Sequence, residues 1–310
     1  MKKNLICIPF AYEEGMNSGV NISESERKNN YLKNAFVALF SAKQYNPECD
    51  VALATNLKTE DIPGEYAELL KKQDIQVIQI PFEKFRFADN YRWSLAFYKL
   101  CVLSHIAQLG YQALCYMDTD VFIQGSFESI WTECEENILL YDIHHGMNTP
   151  NYLIFLKEVE KFLGIRKNIT HYGGEFFAAS STNAVLFCNE CDRIYREMLE
   201  KNFETTRGDE FILSIAASEM RGLVKNAGAY ICRFWTSAYF RLVSTCYRYN
   251  RVSVLHMPDE KNRGMMKLYE KYCKKGILPT DKQVWKICRL TRLPIRDRLK
   301  KSLIEAMKRK

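Results

Sequence analysis

The sequence predicts an α/β protein: a mainly parallel, twisted sheet flanked by helices, with a basic helical extension at its C-terminus. Three observations predict it. Over residues 1–125, apolar runs of strand length alternate with stretches of helical period, which demands crossover connections. A chain of 310 residues, 47% hydrophobic and 26% charged, suits one large globular α/β domain or two small ones. The positive charge is gathered at one end. Residues 282–310 hold 11 Lys or Arg against Asp297 and Glu305, whereas the rest carries 33 basic and 35 acidic groups.

Taken in order, residues 5–10 (LICIPF) read as a buried strand. Pro9 and Glu13-Glu14 end its apolar run too early for a secretory signal. Residues 31–44 form an amphipathic helix, 51–55 a strand, 66–72 a helix, 75–80 a strand and 93–109 a helix leading into the apolar run 113–117. Beyond Gly125 the pattern loosens. FESIW reads as a short helix, ENILLYDI as a strand and NYLIFLKEVEKFLG as helical, while HYGGEFFAASS suggests a glycine turn into a strand. Helices follow at 183–201 and 210–218, and AYICRF and RVSVLH read as strands. No repeat or linker divides this pattern, so the expected organisation is one domain over 1–281 and an extension over 282–310. No apolar run approaches the roughly 20 residues that span a bilayer. The 11 cysteines follow no framework and sit mostly in apolar contexts, as buried thiols of a reducing cytoplasm do. Cys188 and Cys191 lack the second pair a four-thiolate zinc site needs, and lie in a helical run. A nearly neutral body argues against nucleic acid as a partner.

The stretch YQALCYMDTDVFIQG carries the chemistry. Asp118 and Asp120 interrupt an apolar pattern where a strand of a parallel sheet ends, which is where such sheets bind ligands. In extended chain, residues i and i+2 point the same way, so both carboxylates face one point. Two like charges held that close call for a cation, and oxygen ligands suit Mg²⁺ or Mn²⁺. The plainer reading is a solvated pair of loop acids.

YMDTDVFIQGSFESIW resembles the DxD region of the GT-A (Rossmann-like) glycosyltransferases. It is most similar to the retaining bacterial lipooligosaccharide galactosyltransferases and the glycogenin-like enzymes, and other stretches resemble the blood-group A/B transferases. The resemblance implies a basic residue near the donor on the preceding helix, where RWSLAFYKL offers Lys99 and Arg92. An exposed helix cation is the alternative for each. HYGGEFFAASS resembles a glycine pair bordering the sugar and acceptor sites, which brings in Gly173, Gly174 and Glu175; glycine also lets backbone approach a ligand closely. RGDEFILSIAAS resembles an Asp-Glu pair beside the anomeric carbon, which implies catalytic roles for Glu210 and Asp209. By residue chemistry alone, Asp209 suits a helix N-cap and Glu210 an acid favoured by the helix dipole. In VSVLHMPDEKNRG, His256 matches a third metal ligand and Lys261 a diphosphate-binding lysine. Lys261 falls one residue earlier than the family spacing and Arg263 one later, and the family's glycine and Pro-Trp are missing there.

The function so implied is metal-dependent transfer of a sugar, with Mn²⁺ or Mg²⁺, from a nucleotide-diphosphate donor (a UDP-hexose) to a hydroxyl of a glycan or lipid-linked acceptor, with retention, in bacterial surface polysaccharide synthesis. A sugar nucleotidyltransferase is the enzyme alternative, but FAYEEGMNSG lacks the basic residue such chemistry needs after the first strand. A carbohydrate-binding relative without activity is the other. Trp235, Tyr239, Phe240 and Arg241 fall in a stretch whose aromatics suit sugar stacking or a core. In the extension, Ile295, Leu299, Leu303 and Met307 recur every four residues among lysines and arginines. That pattern predicts a peripheral helix on an anionic membrane surface, with Trp285, Ile287 and Leu290 as upstream anchors, at the inner face of the plasma membrane. The competing reading packs the same stripe on the protein's own body.

Overall fold

The computed structural model describes residues 3–14, 24–87, 91, 93–236 and 251–291, together with 299, 303, 304, 306 and 307. Arg92, Tyr239, Phe240, Arg241, Ile295 and most of the basic residues of the tail lie outside these described residues.

The first half follows the expected alternation: β1 (Leu5–Phe10), α1 (Glu24–Tyr45), β2 (Asp50–Thr55), α2 (Gly64–Lys72), β3 (Gln76–Gln79), α3 (Tyr98–Ile106) and β4 (Ala113–Met117). After it come β5 (Val121–Ile123), α4 (Glu128–Cys134), β6 (Ile138–Asp142), α5 (Pro150–Leu163), β7 (Tyr172–Ser180), α6 (Ser181–Glu200) and α7 (Asp209–Glu219). The chain then runs through β8 (Val224–Asn226), β9 (Ile231–Arg233), β10 (Val254–His256), α8 (Gly264–Lys275) and α9 (Asp281–Ile287).

Seven strands form one sheet in the order β3-β2-β1-β4-β7-β6-β8. β1 pairs in parallel with both β2 and β4, while β7 runs antiparallel between β4 and β6, so the sheet is mainly parallel. The strand order reverses direction at β1, and β4 ends beside that reversal, where α/β sheets open a crevice. Side chains alternate along each strand and so feed two cores. Ile6 and Ile8 of β1, with Cys115 and Met117 of β4, pack under α1 and α8; Leu5, Cys7, Leu114 and Tyr116 pack under α3, α6 and α7. Local signals set several helix ends. Thr149 caps α5 by accepting from the Tyr152 amide, Pro150 opens it, and Gly164 closes it at φ 69°.

A second sheet, β5-β10-β9, is short but positions the site. Its register sets His256 opposite Val121 of β5 and opposite Arg233 of β9. The Met257 amide also donates to the Asp120 carbonyl at 3.0 Å, which ties the histidine's strand to the acid's turn.

Four expectations change. The helix expected over 93–109 is a 3₁₀ turn, Ser94–Phe97, followed by α3. Gly173 and Gly174 lie inside β7 rather than in a turn before it. Gly208, not Asp209, is the N-cap of α7, and Asp209 is its first helical residue. The start of the extension packs on the body: Val284 and Cys288 are fully buried, and Trp285 donates from Nε1 to Gln124 Oε1 at 2.7 Å. Ile287 and Leu290 also pack against the core, so these three upstream side chains are not anchors for a membrane. Farther along, Leu299, Leu303 and Met307 are helical and 62%, 65% and 77% exposed. No helix among the described residues is long and apolar enough to cross a membrane.

Candidate active site

β4 ends at Met117, and the chain turns through Asp118-Thr119-Asp120 before β5 begins at Val121. The two carboxylates do converge, but through this turn rather than through extended chain. Asp120 is buried and Asp118 partly open. His256 Nε2 lies 3.2 Å from Asp120 Oδ2 and 3.8 Å from Asp118 Oδ2. One ligand atom from each of the three residues falls within 4.8 Å of the others, so a single ion can be reached by all. Both Asp120 oxygens are buried without an aligned hydrogen-bond donor, and the charged contacts from His256 and Lys261 reach Oδ2 and not Oδ1. A buried carboxylate oxygen left so is costly, and a bound cation would complete it. Two oxygen donors and one imidazole nitrogen therefore fit a divalent ion such as Mn²⁺ or Mg²⁺.

Lysines stand beside both acids. Lys261 Nζ lies 3.3 Å from Asp120 Oδ2, and Lys99 Nζ lies 3.2 Å from Asp118 Oδ1. Burial alone would raise the Asp120 carboxyl, but Lys261 and His256 outweigh it and hold the group well below the ordinary range. Burial would likewise pull His256 down, yet Asp120 and Glu175 raise it to about 9. Lys99 also meets Asp209 Oδ2 at 3.0 Å. One lysine thus serves two acids, and burial pushes Asp209, the more enclosed, up to about 7.

The glycine pair makes room for these side chains. A Cβ on Gly174 would lie 2.0 Å from Asp209 Oδ2 and 2.7 Å from Lys99 Nζ. A Cβ on Gly173 would lie 1.8 Å from Glu175 Oε2. The space left by the missing side chains is filled by the chain's own carboxylates. Glu175 itself is buried, and its carboxylate turns to Arg233, which donates from Nε to Oε1 at 2.7 Å and from Nη2 to Oε2 at 2.6 Å.

Arg233 Nη2 also reaches Glu210 Oε1 at 3.1 Å, and His171 Nε2 lies 3.1 Å from Glu210 Oε2. Burial opposes the charge on Glu210, but His171 and Arg233 outweigh it and hold the carboxyl down to about 2. Glu210 is therefore an ionised carboxylate on the wall of the cleft. His171 is held in turn: its ring stacks on Phe155 at 4.0 Å, and Nδ1 lies 3.0 Å from His144 Nε2. The cleft itself is about 710 Å³ and lined by Asp118, Asp120, Asp209, Glu210 and His256, with Trp93 and Trp235 among its aromatics. Its size falls in the range of small-molecule and cofactor sites.

Lys99, Asp118, Asp120, Asp209, Glu210, His256 and Lys261 are thus brought to one cleft. Sequence reasoning missed Arg233, His171 and His144. Arg233 sits 58 residues from Glu175, and no local period marks such a pair.

The architecture is that of the GT-A glycosyltransferases. The LgtC galactosyltransferase in complex with donor and acceptor sugar analogues superposes with a TM-score of 0.56 at 16% identity, over 95% of this chain and 99% of that one. An active-site mutant of LgtC gives 0.56 at 15% identity, over 92% and 99%. Mouse xyloside xylosyltransferase 1 in its apo form gives 0.54 at 11% identity, over 84% and 99%. No family model matches the sequence, and no curated protein matches it.

Proposed function

We propose that this chain is a metal-dependent glycosyltransferase that moves a hexose from a UDP-sugar to a hydroxyl of a glycan or lipid-linked acceptor. The observation that carries the reading is the meeting of Asp118, Asp120 and His256 at the ligand-binding end of a GT-A sheet. Those three residues would hold Mn²⁺ or Mg²⁺, which supplies Lewis-acid stabilisation of the departing diphosphate when bound. Lys99 and Lys261 add fixed positive charge beside the same carboxylates, which would oppose the negative charge growing on the leaving diphosphate. Arg92 lies outside the described residues, so Lys99 carries this role in the reading. Gly173 and Gly174 serve the donor site by admitting Asp209 and Glu175 close to the backbone. Glu210, ionised and facing the cleft, supports the cationic sugar ring of the transition state, with Asp209 beside it.

The transfer proceeds with retention, from a UDP-α-hexose to an α-linked product, and belongs to bacterial surface polysaccharide synthesis. Retention rests on resemblance at His256 and at the Gly173-Gly174 and Asp209-Glu210 stretches, and the pathway on the resemblance of the DxD region to the bacterial lipooligosaccharide galactosyltransferases. The exposed stripe Leu299, Leu303, Met307 supports a peripheral place on the cytoplasmic face of the membrane, where a lipid-linked acceptor sits.

A panel of nucleotide sugars tests this by metal-dependent release of free nucleotide. UDP-hexose is the expected donor, silent in EDTA and restored by Mn²⁺. Asp118→Asn and Asp120→Asn should each lower turnover by roughly 100-fold or more, since an amide brings no charge to the ion. Full activity of the double Asn variant in EDTA would overturn the metal reading. The anomeric coupling of the product by NMR decides the stereochemistry: a β-linked product refutes retention.

A further inference from the structure

Glu175 is a fully buried acid that does not line the open cleft. We propose that Glu175 is a positioning residue for His256: it holds the imidazole through Nδ1 so that Nε2 is presented to the metal position. The inference rests on the metal reading above.

The geometry is specific to this role. His256 Nδ1 lies 3.2 Å from Glu175 Oε1, while Nε2 on the other side of the ring faces Asp120 and Asp118. A carboxylate on Nδ1 fixes both the tautomer and the plane of a ligating histidine. Glu175 can do this because its own position is fixed. The two-point clamp from Arg233 sets the plane of the carboxylate and leaves a lone pair of Oε1 for Nδ1. The same arginine offsets the cost of burying the acid. The backbone agrees with this arrangement. Gly173 and Glu175 share one face of β7, and only a residue without Cβ at 173 lets the Glu175 carboxylate fold back there. On the other side, β10 sets His256 directly against Arg233 of β9, so the histidine and the clamp on its partner arrive together by register.

The plainer account makes Glu175 a counter-ion for Arg233 and nothing more. The two accounts separate in metal affinity measured without donor. Mn²⁺ binding is followed by titration calorimetry for wild type, Glu175→Gln, His256→Ala, the double variant and Asp120→Asn, with thermal melts to confirm folding. Glu175→Gln should weaken Mn²⁺ binding 10- to 100-fold, in the range found for partners behind a ligand. In the His256→Ala background the same change should shift affinity less than about twofold, because Glu175 acts through the histidine. Equal effects in both backgrounds, or none in either, would sink the inference. If Asp120→Asn binds Mn²⁺ as wild type does, the metal reading itself fails instead. A variant that does not fold leaves the wild-type measurement: ¹⁵N shifts of the His256 ring with Zn²⁺ as a diamagnetic probe. Nδ1 should keep its proton while Nε2 moves to the metal-bound position; ligation through Nδ1 overturns the proposal.

Discussion

At the scale of single residues, the site is an arrangement of charges that hold one another in place. Asp118 and Asp120 were legible because the motif is local and ends a strand; His256 was legible through resemblance. Lys99 and Lys261 were named through the same resemblance, but the clamp behind the histidine was not. Glu175 meets Arg233 across 58 residues, and the contact exists only because two separate sheets meet. His144 was equally hidden, and it makes a testable contribution. Its Nε2 faces His171 and its Nδ1 lies 2.9 Å from Thr149 Oγ1. Burial, then the nearby His171, lower its pKa from 6.5 to about 4, against the smaller upward pulls of Asp142 and Glu210. The unfolded chain therefore binds the extra proton first. The stabilising contribution is fully present above pH 6.5 and is lost as pH falls toward 4. Asp209 works the other way between 3.8 and about 7, so the measurement must be a difference. The melting temperature of wild type minus that of His144→Gln should grow as pH rises from about 4.5 to 7 and then level. Parallel curves for the two proteins would show that His144 is not held neutral.

At the scale of elements, period and apolar runs located the strands and helices of the first half well, because each such element buries a face with its own repeat. Glycine misled. Gly173-Gly174 reads as a turn in isolation, yet both lie within β7, where their hydrogens leave room for Asp209, Lys99 and Glu175. The consequence is steep for Gly174. A methyl group there would meet Asp209 Oδ2 at 2.0 Å and Lys99 Nζ at 2.7 Å, and the backbone cannot retreat without disturbing the pairing of Gly173 with Tyr141 of β6 and the hydrogen bond from the Asp118 amide to the Glu175 carbonyl. Gly174→Ala should cost about 1–3 kcal/mol of stability through overpacking and lower turnover about 10-fold or more by displacing Lys99. Gly222→Ala is the control, since nothing lies within 4 Å of the added methyl. Denaturant midpoints and donor turnover of the pair check both effects; a Gly174→Ala protein indistinguishable from Gly222→Ala would mean that the strand yields easily.

At the scale of the whole molecule, the alternation of strand and helix made the sheet legible, and β9 and β10 were read as strands, but their pairing with β5 into a second sheet and the docking of α9 were not legible, because pairing between distant segments and a seven-residue helix leave too little local pattern. The docking of α9 changes where the body ends. Val284 and Cys288 are core residues, so a cut after Asp281 would open the body, whereas a cut after Thr291 keeps both in place. Beyond that point the sequence holds eight basic residues against Asp297 and Glu305, and Leu299, Leu303 and Met307 stand exposed on helical chain. A stripe packed on the body would be covered; these three are not. Apolar side chains four apart beside lysines and arginines suit the headgroup plane of an anionic bilayer, where each basic residue contributes about 1 kcal/mol. Full-length protein should float with anionic liposomes at low salt and release at high salt, as a screened attraction does. Protein ending at Thr291 should stay in the soluble fraction at every salt concentration and keep its melting temperature and donor hydrolysis. Changing Leu299, Leu303 and Met307 together to Ser should weaken flotation while leaving the charge intact. Flotation that persists after the cut at Thr291 would assign membrane contact to another surface; full-length protein indifferent to anionic liposomes at low salt would remove the membrane from the account.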